Sequence, residues 1–189
     1  MTKKAFAEIA ISILQRGYVT SDKEPDIREV WYAMDIIRSS EINKILQQDS
    51  FLGSEWITTF PDVNVLTDTV RNLKYSNLPA GILSTDGNSI QQVSPVQNEK
   101  IHIIQDSSGD DFIYSILPAG KLLGKPSFWR EGNKIFYKNM TYPKVLIKMM
   151  ANMVDLPDNF PVPVPDYQYM MDKILQWFSV QQNQIDPAP

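Results

Sequence analysis

The chain has one histidine and no cysteine. Disulfides, thiolate metal ligands and cysteine nucleophiles are therefore excluded together. His102 sits in Lys100-Ile101-His102-Ile103-Ile104, where strand alternation puts it on the polar side, opposite Ile101 and Ile103. A lone histidine without a thiolate does not begin a typical zinc site, and no spacing singles out a nucleophile and acid for a histidine-dependent triad. Gly120-Lys121-Leu122 and Gly124-Lys125-Pro126-Ser127 lack the earlier glycine and the Gly-Lys-Ser/Thr order of a nucleotide cradle. Asp106–Asp111, with Gly109 inside it, has its acids and glycine at the wrong places for a calcium loop and reads as an Asp/Ser turn. Asp110 and Asp111 point to opposite sides of an extended chain, which makes them poor acid/base partners. These residues predict no enzyme activity and no cofactor.

Charge is the other feature that could act at a distance. Residues 119–150 hold Lys121, Lys125, Arg130, Lys134, Lys138, Lys144 and Lys148 against Glu131 alone, a local charge of +6. With a total of −4, the remainder of the chain carries −10. Lysines commonly protect exposed strand edges; the same residues could also form a contact surface for an acidic partner, for a neighbouring copy, or for passing DNA. Trp129, Phe136 and Tyr137 among these lysines suit either a base-stacking platform or, more simply, the packing of a two-sided hairpin. Met149, Met150, Met153, Met170 and Met171 suit an adaptable binding groove or ordinary gap-filling.

The elements that position these residues follow from periodicity. Chain length, 189 residues, allows burial of ~70% of the unfolded surface without staples, and 43% hydrophobic with 21% charged residues is ordinary for a soluble protein. No apolar run approaches the ~20 residues of a membrane span. The start, Met1-Thr2-Lys3-Lys4-Ala5-Phe6, leads into an amphipathic pattern rather than a secretory core, so synthesis in the cytoplasm is expected. Thr2 to Arg16 is predicted to be a helix with Phe6, Ile9, Ala10, Ile13 and Leu14 inward, stopped by Gly17. A second helix is expected from about Asp26 to Gln48, with Ser21 or Asp22 capping it and Pro25 in its first turn. Its inward face reads Ile27, Val30, Trp31, Met34, Ile37, Ile42 and Ile45, with Glu41 the lone exception.

A β-rich stretch follows. Trp56–Phe60 and Val63–Leu66 read as short strands separated by Pro61-Asp62. Asp86-Gly87 and Asp106–Asp111 mark two further hairpins, the second joining Lys100–Gln105 to Phe112–Leu117. Phe128–Glu131 and Lys134–Tyr137 flank Gly132-Asn133, a loop that sets Glu131 opposite Lys134, Trp129 opposite Phe136, and Phe128 opposite Tyr137. Both faces of this ribbon carry aromatic rings, which predicts that it lies between layers. Lys144–Met153 reads as a strand. Pro161, Pro163 and Pro165 alternate with Val162 and Val164 in a stiff extended strap, and a last helix runs from Asp166 to about Gln181 with Tyr167, Met170, Met171, Ile174 and Phe178 on one face.

The predicted fold class is α+β: a small helical bundle, made of an N-terminal helical hairpin and a C-terminal helix, with an inserted antiparallel β-sandwich or partial barrel. The expected boundaries are a hairpin over 1–50, a β-rich module over 51–155, the strap over 156–165, the helix over 166–182, and a tail over 183–189.

Several stretches together resemble a family of phage virion proteins. They are the Lys3–Gly17 helix leading through Ser21-Asp22 to Asp26-Ile27-Arg28-Glu29-Val30-Trp31, then Phe128-Trp129-Arg130-Glu131-Gly132-Asn133-Lys134-Ile135, the Lys144–Met150 strand, and Phe160-Pro161-Val162-Pro163. The chain looks like a neck or tail-connector ring protein of short-tailed phages, the head–tail adaptor type related to tail tubular protein A. Within that group it is most similar to ring proteins of crAss-like phages. The resemblance implies a non-enzymatic virion component: copies in a ring, commonly twelve, linking portal to tail, with the helical part toward the portal, the β part against neighbours and DNA passing through the lumen. Lys121, Lys125, Arg130, Lys134, Lys138, Pro161, Pro163 and Pro165 are the expected protein-interface residues. Two alternatives are a phage-encoded module that binds a host or viral partner through methionine and proline surfaces and, a distant third, an enzyme with an unconventional carboxylate site.

Overall fold

The N-terminal stripe folds as α1 (Lys3–Gly17) in the computed structural model, which describes residues 1–17, 26–48, 52–78, 89–98, 103–105 and 125–185. Thr2 Oγ1 accepts the Ala5 amide and caps the helix. Phe6, Ala7, Ala10 and Leu14 are buried, whereas Ile9 is 44% exposed, so the inward face is turned slightly from the expected line. The small side chains of Ala7 and Ala10 occupy it, and the stem of Lys3 completes it.

The second helix, α2 (Ile27–Gln47), starts at Asp26, not at Ser21 or Asp22. Asp26 Oδ1 accepts the Arg28 amide and Glu29 Oε2 accepts the Asp26 amide, a reciprocal capping box. Ser21, Asp22 and Pro25 lie outside the described residues. The buried side chains of α2 are Val30, Ala33, Met34, Arg38 and Ile42. The polar residue on the apolar stripe is thus Arg38 rather than Glu41. The C-terminal helix, α3 (Tyr167–Ile185), runs past the predicted end and is capped by Asp166 Oδ1, which accepts the Gln168 and Tyr169 amides. Met170, Met171 and Ile174 are buried as the periodicity predicts. Each helix touches the other two.

Residues 158–162 complete this unit. The Lys3 and Lys4 amides donate to the Phe160 and Asp158 carbonyls, the Val162 amide donates to Met1 O, and Thr2 bridges Pro161. Main-chain carbonyls of the strap therefore satisfy first-turn donors of α1 that no intrahelical acceptor can reach.

Among the described residues eight strands form two sheets, and the fold is α+β. β1 (Thr58–Asn64) and β4 (Ile90–Pro95) flank β8 (Lys144–Met149) in an antiparallel trio. The second sheet has the order β2 (Leu66–Asp68), β3 (Leu73–Asn77), β7 (Lys134–Lys138), β6 (Ser127–Glu131), β5 (Ile104–Gln105). Two sequence expectations change here. Ser54–Trp56 is a 3-10 turn, and one strand runs through Pro61-Asp62 with a register shift between Phe60 and Val63. An edge strand tolerates proline at such a bulge because no ladder donor is missing there. β5 pairs parallel to β6; the second strand of the hairpin expected from Lys100–Gln105, 112–117, lies outside the described residues, as do Asp86-Gly87 and His102. β1 passes into β2 through Val65 alone, and β7 passes into β8 through residues 139–143. The Val65 amide donates to Pro143 O at 2.9 Å, so two strand pairs cross between the sheets side by side.

Two compact units result. One draws on Met1–Ile57, Gly81–Ser89 and Ala151–Pro189, the other on Thr58–Ala80 and Ile90–Met150.

The β6–β7 register is the expected one: Glu131 opposite Lys134, Trp129 opposite Phe136, Phe128 opposite Tyr137. The positive φ of its loop falls on Gly132 alone, at 56°, as in two-residue turns that place glycine first. A Cβ on Gly132 would meet nothing within 4 Å, so backbone strain is the whole cost of a side chain there. Gly132→Ala is expected to lower the unfolding free energy by about 1 kcal/mol in urea denaturation; an unchanged midpoint would mean the loop can adopt another turn.

Candidate functional site

Alternation divides the β6–β7–β3 ribbon into two unlike faces. Phe128, Ile135, Tyr137 and Ser76 share one, all buried. The Tyr137 hydroxyl donates to Ser76 Oγ, which donates to Asn64 O, and burial pushes the phenol up to about 12. The other face carries a row of side chains across four strands, Leu66, Tyr75, Phe136 and Trp129, set by register. Trp129 stacks on Phe136 with centroids 5.7 Å apart, and Tyr75 lies 6.1 Å from Phe136 on its other side. Lys134 Nζ sits 4.6 Å from the Tyr75 centroid and the Arg71 guanidinium 5.5 Å from that of Phe136. Glu131 ties the pair together: one oxygen accepts from Trp129 Nε1 and the other from Arg71, both at 3.1 Å. These donors, Trp129 first, hold the Glu131 carboxyl below its usual range. Asp68 is held low likewise, first by the Arg71 amide and then by that of Val70.

The structure separates the expected interface residues. Lys134 and Lys138 are on the aromatic face, Lys134 exposed and Lys138 half-buried. Arg130 belongs to the opposite face; its Nε donates to Gly132 O at 2.9 Å, and burial lowers its pKa. Lys125 is exposed in the approach to β6, and Lys121 lies outside the described residues. Lys144, counted in the basic stretch, pairs with Asp62 at 2.7 Å. Pro161 and Pro165 are exposed and Pro163 is buried. The methionines are core: Met149, Met150, Met153 and Met170 are 0% exposed and Met171 6%, which favours gap-filling over an open groove.

A second cluster has no counterpart in the sequence reading. Three charged side chains of α1 and α2 hold the backbone of 151–156. Arg38, fully buried, donates from one terminal nitrogen to Ala151 O at 2.9 Å and from the other to Trp56 O at 3.3 Å. Asp35 accepts the Met153 amide at 2.7 Å and approaches Arg38 at 3.5 Å. Lys3, 1% exposed, donates to Leu156 O at 2.6 Å and lies 3.6 Å from the centre of the Trp31 ring. Desolvation lowers Lys3 and takes Arg38 down to about 10, with Asp35 opposing in both cases. One signal could have found this cluster: an Asp and an Arg three apart, with the Arg four residues from both Met34 and Ile42 on the apolar stripe.

No group of three or more His, Cys, Asp or Glu side chains that could hold a metal occurs among the described residues, and none of the described helices is long and apolar enough to cross a membrane. Comparison with known protein families and with curated proteins finds no match.

Burial raises the Asp35 carboxyl above 3.8, outweighing the Met153 amide and Arg38, which favour the anion. The folded chain therefore keeps this proton to higher pH than the unfolded chain does. Stability contributed by Asp35 is full below the unfolded value and is lost as pH rises through the folded one. Urea unfolding of Asp35→Asn and the parent from about pH 3.5 to 6.5 should show the difference moving in favour of the variant as pH rises. A difference that ran the opposite way would place the folded carboxyl below the unfolded one.

Proposed function

We propose that this chain is a structural subunit of a phage neck or tail connector, in which copies close into a ring between portal and tail around a channel that passes DNA. The observation that supports this most directly is how charge is distributed. Among the described residues, cations outnumber acids in the β unit and acids outnumber cations in the helical unit. A cyclic ring joins two different surfaces of each subunit, and oppositely charged surfaces suit such a joint. Lys134 and Lys138, on one face of the β6–β7 ribbon, are the residues assigned to it on the basic side, with Lys125 beside them. Pro161 and Pro165 are the exposed strap residues open to portal or tail neighbours. The copy number follows the family resemblance, commonly twelve.

The chief alternative, a module that captures a partner through methionine and proline surfaces, loses its methionine half, because those side chains are buried.

Sedimentation and native mass measurement at low and high salt test the ring directly. A closed oligomer that weakens with salt, and that is lost in Lys134→Glu/Lys138→Glu, is the expected result. Mass spectrometry of gradient-purified particles should find the protein at a small fixed multiple close to the portal's. A monomer at every salt concentration, together with absence from particles, would sink the reading.

A further inference from the structure

The acids and cations of the aromatic face are unequally committed. Glu131 spends one oxygen on Trp129 Nε1 and the other on Arg71, and one oxygen of Asp68 accepts the Val70 and Arg71 amides. The cations keep capacity. Arg71 uses one terminal nitrogen on Glu131, and among the described residues no carboxylate lies within ion-pair distance of Lys134, whose ammonium rests on the Tyr75 ring. Both cations are exposed, so an incoming group meets donors before acceptors. It also meets rings, since Tyr75 and Trp129 are half-buried. Tryptophan, tyrosine and arginine are the residue types that carry most of the energy at protein–protein contacts. A stacked nucleobase is poorly served here, because Phe136 is buried between its two ring neighbours and Lys134 lies over Tyr75.

The helical unit presents matching chemistry in the turn Asp155-Leu156-Pro157-Asp158. Leu156 is buried, while Asp155, Pro157 and Asp158 are exposed; the Asp158 side chain, 3.9 Å from Lys3, is 59% exposed. The backbone of this turn is already held. Leu156 O accepts Lys3 Nζ at 2.6 Å, the Leu156 amide donates to Met153 O, and the Phe160 amide donates to Pro157 O. Two carboxylates thus flank a proline on a turn that is ordered before any partner arrives. Proline docks on aromatic side chains at little entropic cost, and carboxylates suit exposed guanidinium and ammonium groups. We propose that the face made by Arg71, Tyr75, Trp129 and Lys134 of one copy receives the Asp155–Asp158 turn of a second copy, Pro157 against the rings and the carboxylates against the cations. The inference rests on the ring reading and gives its basic and acidic sides particular residues; two different surfaces meet, as a heterologous joint requires.

The test reverses each side in turn. Arg71→Glu/Lys134→Glu reverses the face and Asp155→Lys/Asp158→Lys reverses the turn, and self-association is followed by sedimentation at low salt. Each variant alone should associate at least about tenfold more weakly than the parent. An equimolar mixture of the two should recover association, because native face meets native turn and the two reversed surfaces also match. If the face variant does not fold, Lys134→Gln and Asp155→Asn/Asp158→Asn, measured singly and together, carry the comparison, and their losses should be less than additive. A parent oligomer that persists when the turn is reversed, or a mixture that recovers nothing, overturns the joint and leaves the ring reading standing. Oligothymidylate binding that disappears with the face while the oligomer persists also overturns it, assigning the face to nucleic acid. A parent that is monomeric at every salt concentration overturns the joint as well, and absence from purified particles then removes the ring reading with it.

Discussion

Three ionic side chains are committed to main-chain groups of 151–156, and much of the helical unit follows from that choice. A buried charge is tolerable only when its hydrogen-bonding capacity is met. Lys3 and Asp35 meet most of theirs with carbonyls and amides of a segment that has no regular ladder of its own, and Arg38 divides its donors among Ala151 O in that segment, Trp56 O and Asp35. The segment is thereby satisfied where a sheet or helix would otherwise be needed. Once 151–156 is fixed, residues 158–162 lie where their carbonyls can close the first turn of α1. The arrangement is expensive to break from either side, since loss of one partner strands the others; removal of one member of a buried pair typically costs about 3–5 kcal/mol.

The β unit solves a different problem. Its ribbon has one face sealed by Phe128, Ile135 and Tyr137 and another on which Phe136 is buried between the half-buried rings of Tyr75 and Trp129. On the second face the chain supplies its own cations: Arg71, presented by the turn between β2 and β3, and Lys134, from the first residue of β7. Each lies over a ring it would otherwise leave open to water, and Glu131 neutralises part of the charge. Aromatic area is kept at the surface without being left bare, a compromise that lets a strongly basic stretch stay close to apolar side chains.

Sequence legibility tracks how local each interaction is. The β6–β7 register could be read because a glycine-bearing two-residue loop and strict alternation lie within one short stretch. The α3 face could be read for the same reason. The face of α1 came out turned because Ala7 and Ala10, which sit inward, carry a weak apolar signal beside Ile9. Arg38 was invisible to hydropathy: burial of an arginine depends on acceptors at Trp56 and Ala151, the latter 113 residues away. The parallel pairing of β5 with β6 and the passage of β1 through Pro61-Asp62 were likewise fixed by partners far along the chain. Of the expected interface residues, only membership of the basic stretch could be read; which face each lysine takes depended on register, and only Lys134 and Lys138 share the aromatic one.

Thr58 and Met149 are register partners across β1 and β8, and that adjacency also governs how the chain can come to be folded. Pairing β1 with β8 closes a loop of roughly 90 residues, an entropic toll that local hairpins never meet, and contacts of such long range slow folding. During synthesis α1 and α2 emerge early, yet the carbonyl of Ala151, the amide of Met153 and the buried side of α3 arrive only after the whole β unit has been made. Until then the guanidinium of Arg38 must stay hydrated and the apolar stripes beside it uncovered. The helical unit, begun before the β unit, is therefore completed after it, and its half-built form is the species most exposed to misassociation.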